Sequence, residues 1–424
     1  MDKFFLKLKH LFADKSLRNK ILFVLGALII FRALATIPIP GVDQATLSRF
    51  LSNNQFFGLL NIFSGGGLST LSIIMLGVSP YITSSIIMQL STMLSPRMKS
   101  MVSEEGEVGR KKFNFYSRAL TVPLAAIEAF GFLALLQKEG VVGALGGLSL
   151  ITNVAIVVGG SMILMWLGEL VSEFGIGNGV SLIIFAGIVS RIPQAFGQLQ
   201  YVYTDASQIP MFVFMFVMGL LAILAVVFIT EAERPVPVTY AKQVRGGKIY
   251  GGSSTYIPFR LNQAGVIPII FALSILLLPQ MVFNMLAYFG NPAIAGASKM
   301  LAGFMANPWI YASLYFILVF FFTYFYTAVT FDPKTISENL QKSGAFIPGI
   351  RPGEPTTEHL AKMVGRLTLV GALFLGIIAV LPPILQAVTS IKILTVGGTS
   401  LLIVVQVVID LIKKVDAQLA MREY

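Results

Sequence analysis

Apolar residues in this chain come in long runs, not in the short periodic clusters of a water-soluble core. Runs of mostly uncharged residues recur at 21–37, 76–94, 119–136, 150–171, 179–197, 211–230, 265–287, 308–330, 367–386 and 396–412. A bilayer core of ~30 Å takes ~20 apolar residues in helical form, so the pattern predicts an all-α membrane protein of ten transmembrane helices. The connections alternate in charge. Of the 31 Lys and Arg, 25 fall in 1–20, 95–118, 231–264, 331–366 and 413–424, which with 172–178 form one side. The opposite connections hold only Arg49, Lys138, Arg191, Lys299 and Lys392, and Arg32 lies inside the first span. Lys and Arg accumulate in cytoplasmic loops. The basic side is therefore read as cytoplasmic, with both termini on it.

Composition sharpens this picture. The chain is 55% hydrophobic and 12% charged, against ~25% charged in soluble domains. The net charge of +11 sits where topology alone puts it, so nucleic acid is not needed to explain it. There is no Cys, which excludes disulfides and thiol catalysis. His10 and His359 are far apart and outside the spans, which argues against a His-based metal site or triad. No cofactor is expected. Residues 1–20 interleave Phe4, Phe5, Leu8, Leu11 and Phe12 with Lys3, Lys7, Lys9 and Lys15. This reads as an amphipathic segment lying on anionic lipids, not as a cleavable signal. Five spans in 21–197 and five in 211–412 make two halves. The second half must be inverted, because five crossings end on the opposite side. Inverted repeats place a pathway at their interface near the membrane midplane.

Three segments break the simple pattern. Residues 56–75 are apolar but interrupted by Ser64-Gly65-Gly66-Gly67 just before the second span. A short helix re-entering the membrane fits, and so does an amphipathic loop on the outer surface. The second span, 76–94, carries Ser79, Thr83, Ser84, Ser85, Gln89, Ser91 and Thr92, a polarity that suits a face turned to water or to a separable neighbour. The loops 231–264 and 331–366 are too long to be simple connections, and their Pro-Gly turns predict order.

The stretch WLGELVSEFGIGNGVSLIIFAGI at 166–188 resembles the signature of the SecY family of protein-translocation channels. IPIPG at 37–41, FSGGGLS at 63–69, PYITSSIIMQL at 80–90 and NQAGVIPIIFA at 262–272 are similar to further family motifs, as are SGAFIPGIRPGEPT at 343–356 and GGTSLLIVVQVVID at 397–410. The resemblance implies ten spans in two inverted halves around a central hourglass pore with a re-entrant plug helix, in the bacterial cytoplasmic membrane. The pore would pass unfolded, signal-bearing preproteins outward and release apolar segments sideways into lipid. Implied partners are SecE-like and SecG-like subunits, the SecA ATPase and the ribosome.

Carried over by motif, Val78, Ile82, Val180, Ile184, Ile270 and Ile403 form the constriction ring. Stiff β-branched aliphatics suit a waist that dewets when narrow and offers a sliding chain no hydrogen bond. Asn61, Ser64, Gly65, Gly66, Gly67 and Leu68 match the plug, from which few strong contacts are expected because it must move. Thr83, Gln89, Glu128 and Asn262 fall at the lateral gate, the second and third spans facing the seventh and eighth. Polar groups there are expected to bond across the seam when it is shut. Glu128 stands where members of the family carry Gln. Arg351, Arg234, Lys242, Arg245 and Lys248 match the loops that dock SecA or the ribosome, and Arg32 is read as structural. An ion-coupled secondary transporter is the rival reading, since it also uses inverted repeats. The spans offer it few ionisable groups, and no enzymatic constellation is visible.

Overall fold

The computed structural model describes residues 14–41, 46–47, 64, 66–138, 140–143, 146–190, 193, 209–240, 243–245, 248–250, 254–288, 292–389 and 394–420. The first half contains α1 (Lys15–Ala35), α2 (Ser79–Leu94), α3 (Pro96–Ser103), α4 (Gly106–Lys138), α5 (Gly147–Phe174) and α6 (Gly179–Val189). After α7 (Ile209–Glu231) come four strands: β1 (Glu233–Tyr240), β2 (Gln243–Arg245), β3 (Lys248–Tyr250) and β4 (Ser254–Arg260). The second half continues with α8 (Ile267–Tyr288), α9 (Pro292–Ala306), α10 (Pro308–Thr330), α11 (Pro333–Lys342), β5 (Ala345–Phe346), α12 (Glu354–Thr389) and α13 (Leu394–Ala420).

Each of the ten apolar runs coincides with a helix. Several starts follow from capping chemistry. Asp14 accepts from the Ser16 and Leu17 amides before α1, and Asn178 from the Ser181 amide before α6. Asn307 and Asp332 cap α10 and α11, each followed by Pro in the first turn, where the missing N–H costs nothing. Among the described residues, α4, α5, α12 and the stretch Pro308–Lys342 contain helices long and apolar enough to cross a bilayer. The apolar portions of α6, α7 and α8 are shorter. In the expected span 179–197, α6 ends at Val189; at 1.5 Å per residue its 11 residues rise about 17 Å.

The all-α expectation needs correcting in the long loops. β1 pairs antiparallel with β4, from Glu233 opposite Arg260 to Thr239 opposite Ser254, and on its other edge with β5. β2 and β3 form a hairpin. Val236, Val238 and Phe259 of the larger sheet pack with Ala345, Ile347, Leu360, Met363 and Val364 in one apolar cluster. The two loops thus share a core. Alternation in the β1 sequence RPVPVTY is the trace of this sheet, masked by two prolines that usually argue against a strand.

The helices enclose two further apolar clusters. The larger gathers residues from α1, α2, α5–α8, α10, α12 and α13. The smaller joins Ile39, Leu47, Leu68, Leu71, Met75 and Leu76 to α4 (Ala129, Phe132, Leu133, Leu136) and α5 (Leu150, Val157). One residue of the second half joins it: Met281 of α8.

Candidate functional site

The stretch 166–188 builds a tight helical hairpin. The Ser172 hydroxyl of α5 accepts the Gly179 amide at 2.8 Å, and a Cβ at Gly179 would collide with the Gly168 carbonyl. Only glycine allows α5 and α6 this approach. The hairpin brings Glu169, Ser172 and Glu173 of α5 beside Asn178, Val180 and Ser181 of α6. All six line a cavity of about 490 Å³. Tyr81, Ile82, Ser85 and Gln89 of α2, Asn114 and Arg118 of α4, Ile267, Ile270 and Phe271 of α8 and Tyr326 of α10 complete its wall. Arg118 Nε meets Glu169 Oε1 at 2.8 Å, tying α4 to α5. The polar lining comes from helix ends that lead into the basic connections. The cavity therefore lies toward the basic side, with aliphatic Ile82, Val180 and Ile270 among its walls.

Val78, Ile82, Ile184, Ile270 and Ile403 are all members of the larger cluster, and Val180 packs against it. The first five are at most 6% exposed. Five of the six side chains, Val78 just before α2 and Ile82, Ile184, Ile270 and Ile403 of α2, α6, α8 and α13, are thus buried in the apolar interior, and Val180 of α6 packs on it. Ile74 and Val78 place the segment before α2 against the same interior.

Of the expected plug residues, Asn61 and Gly65 lie outside the described ones. Ser64, Gly66, Gly67 and Leu68 are described, and they correct two expectations. Residues 66–78 run as successive turns, not as a helix. They are also well bonded: Ile39 N–H donates to Leu71 O at 2.8 Å, Ile73 N–H to Ile37 O at 2.9 Å, Ser72 N–H to Gly67 O at 2.7 Å and Leu68 N–H to Ser64 Oγ at 3.1 Å. Glycine spacing and a bonded strand-like bridge between Pro38 and Ser72 explain the turns. Leu71, fully buried, has φ of 42°, a conformation that costs a side-chain-bearing residue about 1–2 kcal/mol. Burial of its side chain among α4 and α5 residues offsets that strain.

The gate residues also correct an expectation. Thr83 Oγ1 donates to Ser79 O, Gln89 Nε2 to Ser85 Oγ, and Asn262 to Gly265 O while accepting the Gly265 amide. Each bond stays within its own helix or turn, because a hydroxyl one turn from a carbonyl, or an Asn before a tight turn, is satisfied locally. Glu128 is 5% exposed and bonds the Ser79 side chain of α2. α4 packs on α8, and a Cβ at Gly131 would overlap the Met281 carbonyl. Gly131, Met281 and the Arg118–Glu169 pair were not singled out from sequence. A glycine inside an apolar run and two charges at span ends were the only traces of them.

Arg351 and Arg234 are exposed on the loop subdomain. Gly349 and Gly353, at φ of 83° and 97°, turn the backbone on either side of Arg351. Its carbonyl accepts the Thr356 hydroxyl at 2.8 Å, and Gly353 O accepts that of Ser337 at 2.8 Å. Arg245 and Lys248 stand opposite each other in the β2–β3 hairpin, and Lys242 lies outside the described residues. Arg32 Nη1 donates to Ser190 Oγ at 3.1 Å, linking α1 to the end of α6.

The SecY family model matches residues 72–412. The protein translocase subunit SecY of Thermus thermophilus is 43% identical over 424 residues, covering 96% of this chain and 94% of its own. That of Mycobacterium tuberculosis strain H37Rv is 38% identical over 430 residues, covering 96% of each. In fold, the chain is similar to the SecY protein whose plug domain stabilises the closed state of the translocation channel and maintains a membrane seal. That match has a TM-score of 0.68 and 20% identity, covering 96% of this chain and 93% of the other. It is also similar to Sec61 in the canine ribosome-channel complex, with a TM-score of 0.63 and 19% identity over 96% and 93%. On this ground the chain, a multi-pass membrane protein, belongs to the SecY family, a family of channels and not of enzymes, and forms the pore of the Sec translocon.

Proposed function

We propose that Val78, Ile82, Val180, Ile184, Ile270 and Ile403 are the waist through which unfolded, signal-bearing polypeptides pass. The observation that supports this reading is that the six belong to or pack on one buried apolar cluster, with Ile82, Val180 and Ile270 also walling the polar cavity toward the basic side. The chain crosses the membrane ten times in two inverted halves, with both termini and the loop subdomain in the cytoplasm. Charge alternation supports that orientation. The segment 66–78 is the inner part of a plug that seals the far side of the waist. α2 and α4 face α8 and α10 along the lateral gate, where an apolar segment leaves for lipid. Leu, Ile, Phe and Val each favour the membrane by about 0.3–0.6 kcal/mol, and a central Asp, Lys or Arg opposes it by about 2.5–3.5 kcal/mol. Sequence alone therefore sorts the two exits.

The loop subdomain receives the cytoplasmic partner, SecA or a ribosome, through Arg351 and Arg234, with Lys242, Arg245 and Lys248 contributed by the hairpin region. The structural relative bound in a ribosome-channel complex supports that assignment. SecE-like and SecG-like subunits complete the assembly in the bacterial cytoplasmic membrane. Replacing Ile184 and Ile270 together by Asn tests the waist. Polar groups rewet a narrow constriction, so the resting channel becomes leaky to ions while chain abundance holds. A double variant as ion-tight as the parent overturns the assignment.

A further inference from the structure

α9 is too short to cross a membrane and too apolar to lie in water. Its sequence, PAIAGASKMLAGFMA, has 15 residues, which rise about 22 Å against a hydrocarbon core of ~30 Å. The sheet fixes its side of the molecule. β4 leads into α8, β5 follows α10 and α11, and both strands flank β1 in one sheet. The start of α8 and the end of α10 therefore share the basic end, and α9 joins their other ends, packing chiefly on α8. It carries one charge, Lys299, and no acidic residue. Its faces are sorted: Ile294, Ala297 and Leu301 are half-buried, whereas Gly296, Lys299, Met300, Gly303 and Phe304 are exposed. At about 100° per residue the exposed set covers one side, with Lys299 on one flank and Met300 and Phe304 on the other. A Cβ at Gly296 or Gly303 meets nothing within 4 Å. Exposed apolar positions then resume on α10 as Trp309, Ile310, Leu314, Ile317 and Phe321. The last four recur at helical spacing, as on the face that a span turns to lipid.

We propose that α9 lies in the headgroup region of the outer leaflet and that phospholipid covers its exposed face. Met300 and Phe304 enter the upper acyl chains, as the apolar face of an interfacial helix does. Lys299 leaves the other flank and reaches lipid phosphate, its stem crossing apolar surface on the way. Trp309, in the first turn of α10, marks the same level, since its ring prefers the membrane–water boundary. Two features single out lipid as the occupant. The exposed face runs on into the apolar stripe of α10, and its one charge is a cation with no carboxylate beside it on the helix, which matches a phosphate surface. The ends of α8 and α10 opposite the loop subdomain are then seated in the leaflet through α9. The assignment to the outer leaflet rests on the reading of the basic side as cytoplasmic, whereas the depth of the helix does not.

The chain has no native Cys, so single spin labels report depth directly. The full chain with its partner subunits is placed in vesicles of phosphatidylethanolamine and phosphatidylglycerol, with labels at Met300→Cys, Phe304→Cys or Lys299→Cys. Collisions with oxygen, which dissolves in acyl chains, are compared with collisions with a water-soluble nickel chelate. A label at Lys342→Cys, exposed on α11, gives the value for water. The ratio of oxygen to chelate collisions is expected to be several-fold higher at Met300 and Phe304 than at Lys342, with Lys299 between them. A ratio at Met300 and Phe304 equal to that at Lys342 overturns the lipid seat. Labels reached by neither reagent overturn it as well, because a protein then covers the face. Adding Met300→Lys and Phe304→Lys together is expected to raise chelate collisions at the Lys299 label several-fold, and unchanged collisions overturn the role of those two side chains. A membrane-impermeant maleimide checks the side: it is expected to modify Lys299→Cys in sealed right-side-out vesicles and not in inverted ones. The reverse pattern overturns the orientation and the outer-leaflet assignment, while the collision ratios still report the depth.

Discussion

Arg351 shows how a single side chain is made ready by its surroundings. Its carbonyl is held by Thr356 and the neighbouring Gly353 carbonyl by Ser337, while its guanidinium is exposed at the tip between two turns. A fixed backbone lowers the ordering entropy lost on docking, and Arg matches phosphate or carboxylate in a paired geometry that Lys lacks. Arg351→Glu is expected to abolish partner-driven export at parental chain abundance, read by vesicle translocation and immunoblot. Thr356→Val removes one hydrogen bond to the tip and weakens export several-fold, in line with the ~1 kcal/mol of a typical bond. Normal export with Arg351→Glu contradicts the docking role. At this scale the sequence was legible where chemistry is local. Pro-Gly pairs announced the tip. It was not legible where a residue acts through what it lacks. Gly131 matters because no Cβ stands between α4 and α8, and no property of residue 131 alone says which backbone lies opposite.

Among the elements, the α5–α6 hairpin carries the heaviest sequence constraint. Gly168, Ser172 and Gly179 serve one close crossing, and that crossing sets where Glu169 and Val180 meet the cavity. Gly179→Ala places a methyl on the Gly168 carbonyl, and overpacking of this kind costs typically about 1–3 kcal/mol. Reduced abundance and faster proteolysis of the variant are expected, with Gly159→Ala as the control, since a Cβ there meets nothing within 4 Å. Equal protease resistance of the two would show that the hairpin tolerates separation. Each apolar run holds a described helix, and four stretches among the described residues are long and apolar enough to cross a bilayer; length and hydropathy are local properties, which is why they could be read. The sheet β4–β1–β5 was missed because its strands are distant in sequence and its central strand carries Pro235 and Pro237. The turns at 66–78 were read partly as helix because an apolar run says nothing of its period when every face is buried. Leu71, held at φ of 42°, breaks the helix by a conformation that only tertiary packing stabilises.

For the molecule as a whole, the polar cavity and the two apolar clusters adjoin: Ile82, Val180 and Ile270 wall the cavity and belong to or pack on the larger cluster, and Ile73 packs against both clusters. This arrangement joins residues more than 300 positions apart, so no motif on its own describes it. The family resemblance supplied the six residues, and the structure buries them in or against one apolar cluster. Thr83 and Asn262 bond within their own elements, so parting of the proposed seam leaves those two groups paired in the membrane, where an unpaired one would cost several kcal/mol, whereas the buried Gln89 carbonyl has no partner on either side among the described residues.

The central claim is that one narrow aliphatic waist touches the passing chain. Ile82, Ile184, Ile270 and Ile403 are replaced one at a time by Cys, and each channel is loaded with a translocating polypeptide arrested midway and carrying a single Cys. The account predicts that all four form disulfides with that polypeptide at the same arrest point, while Cys at Phe216, 76% exposed on α7, forms none. Cross-links from Phe216, or from only one of the four, would contradict a shared waist.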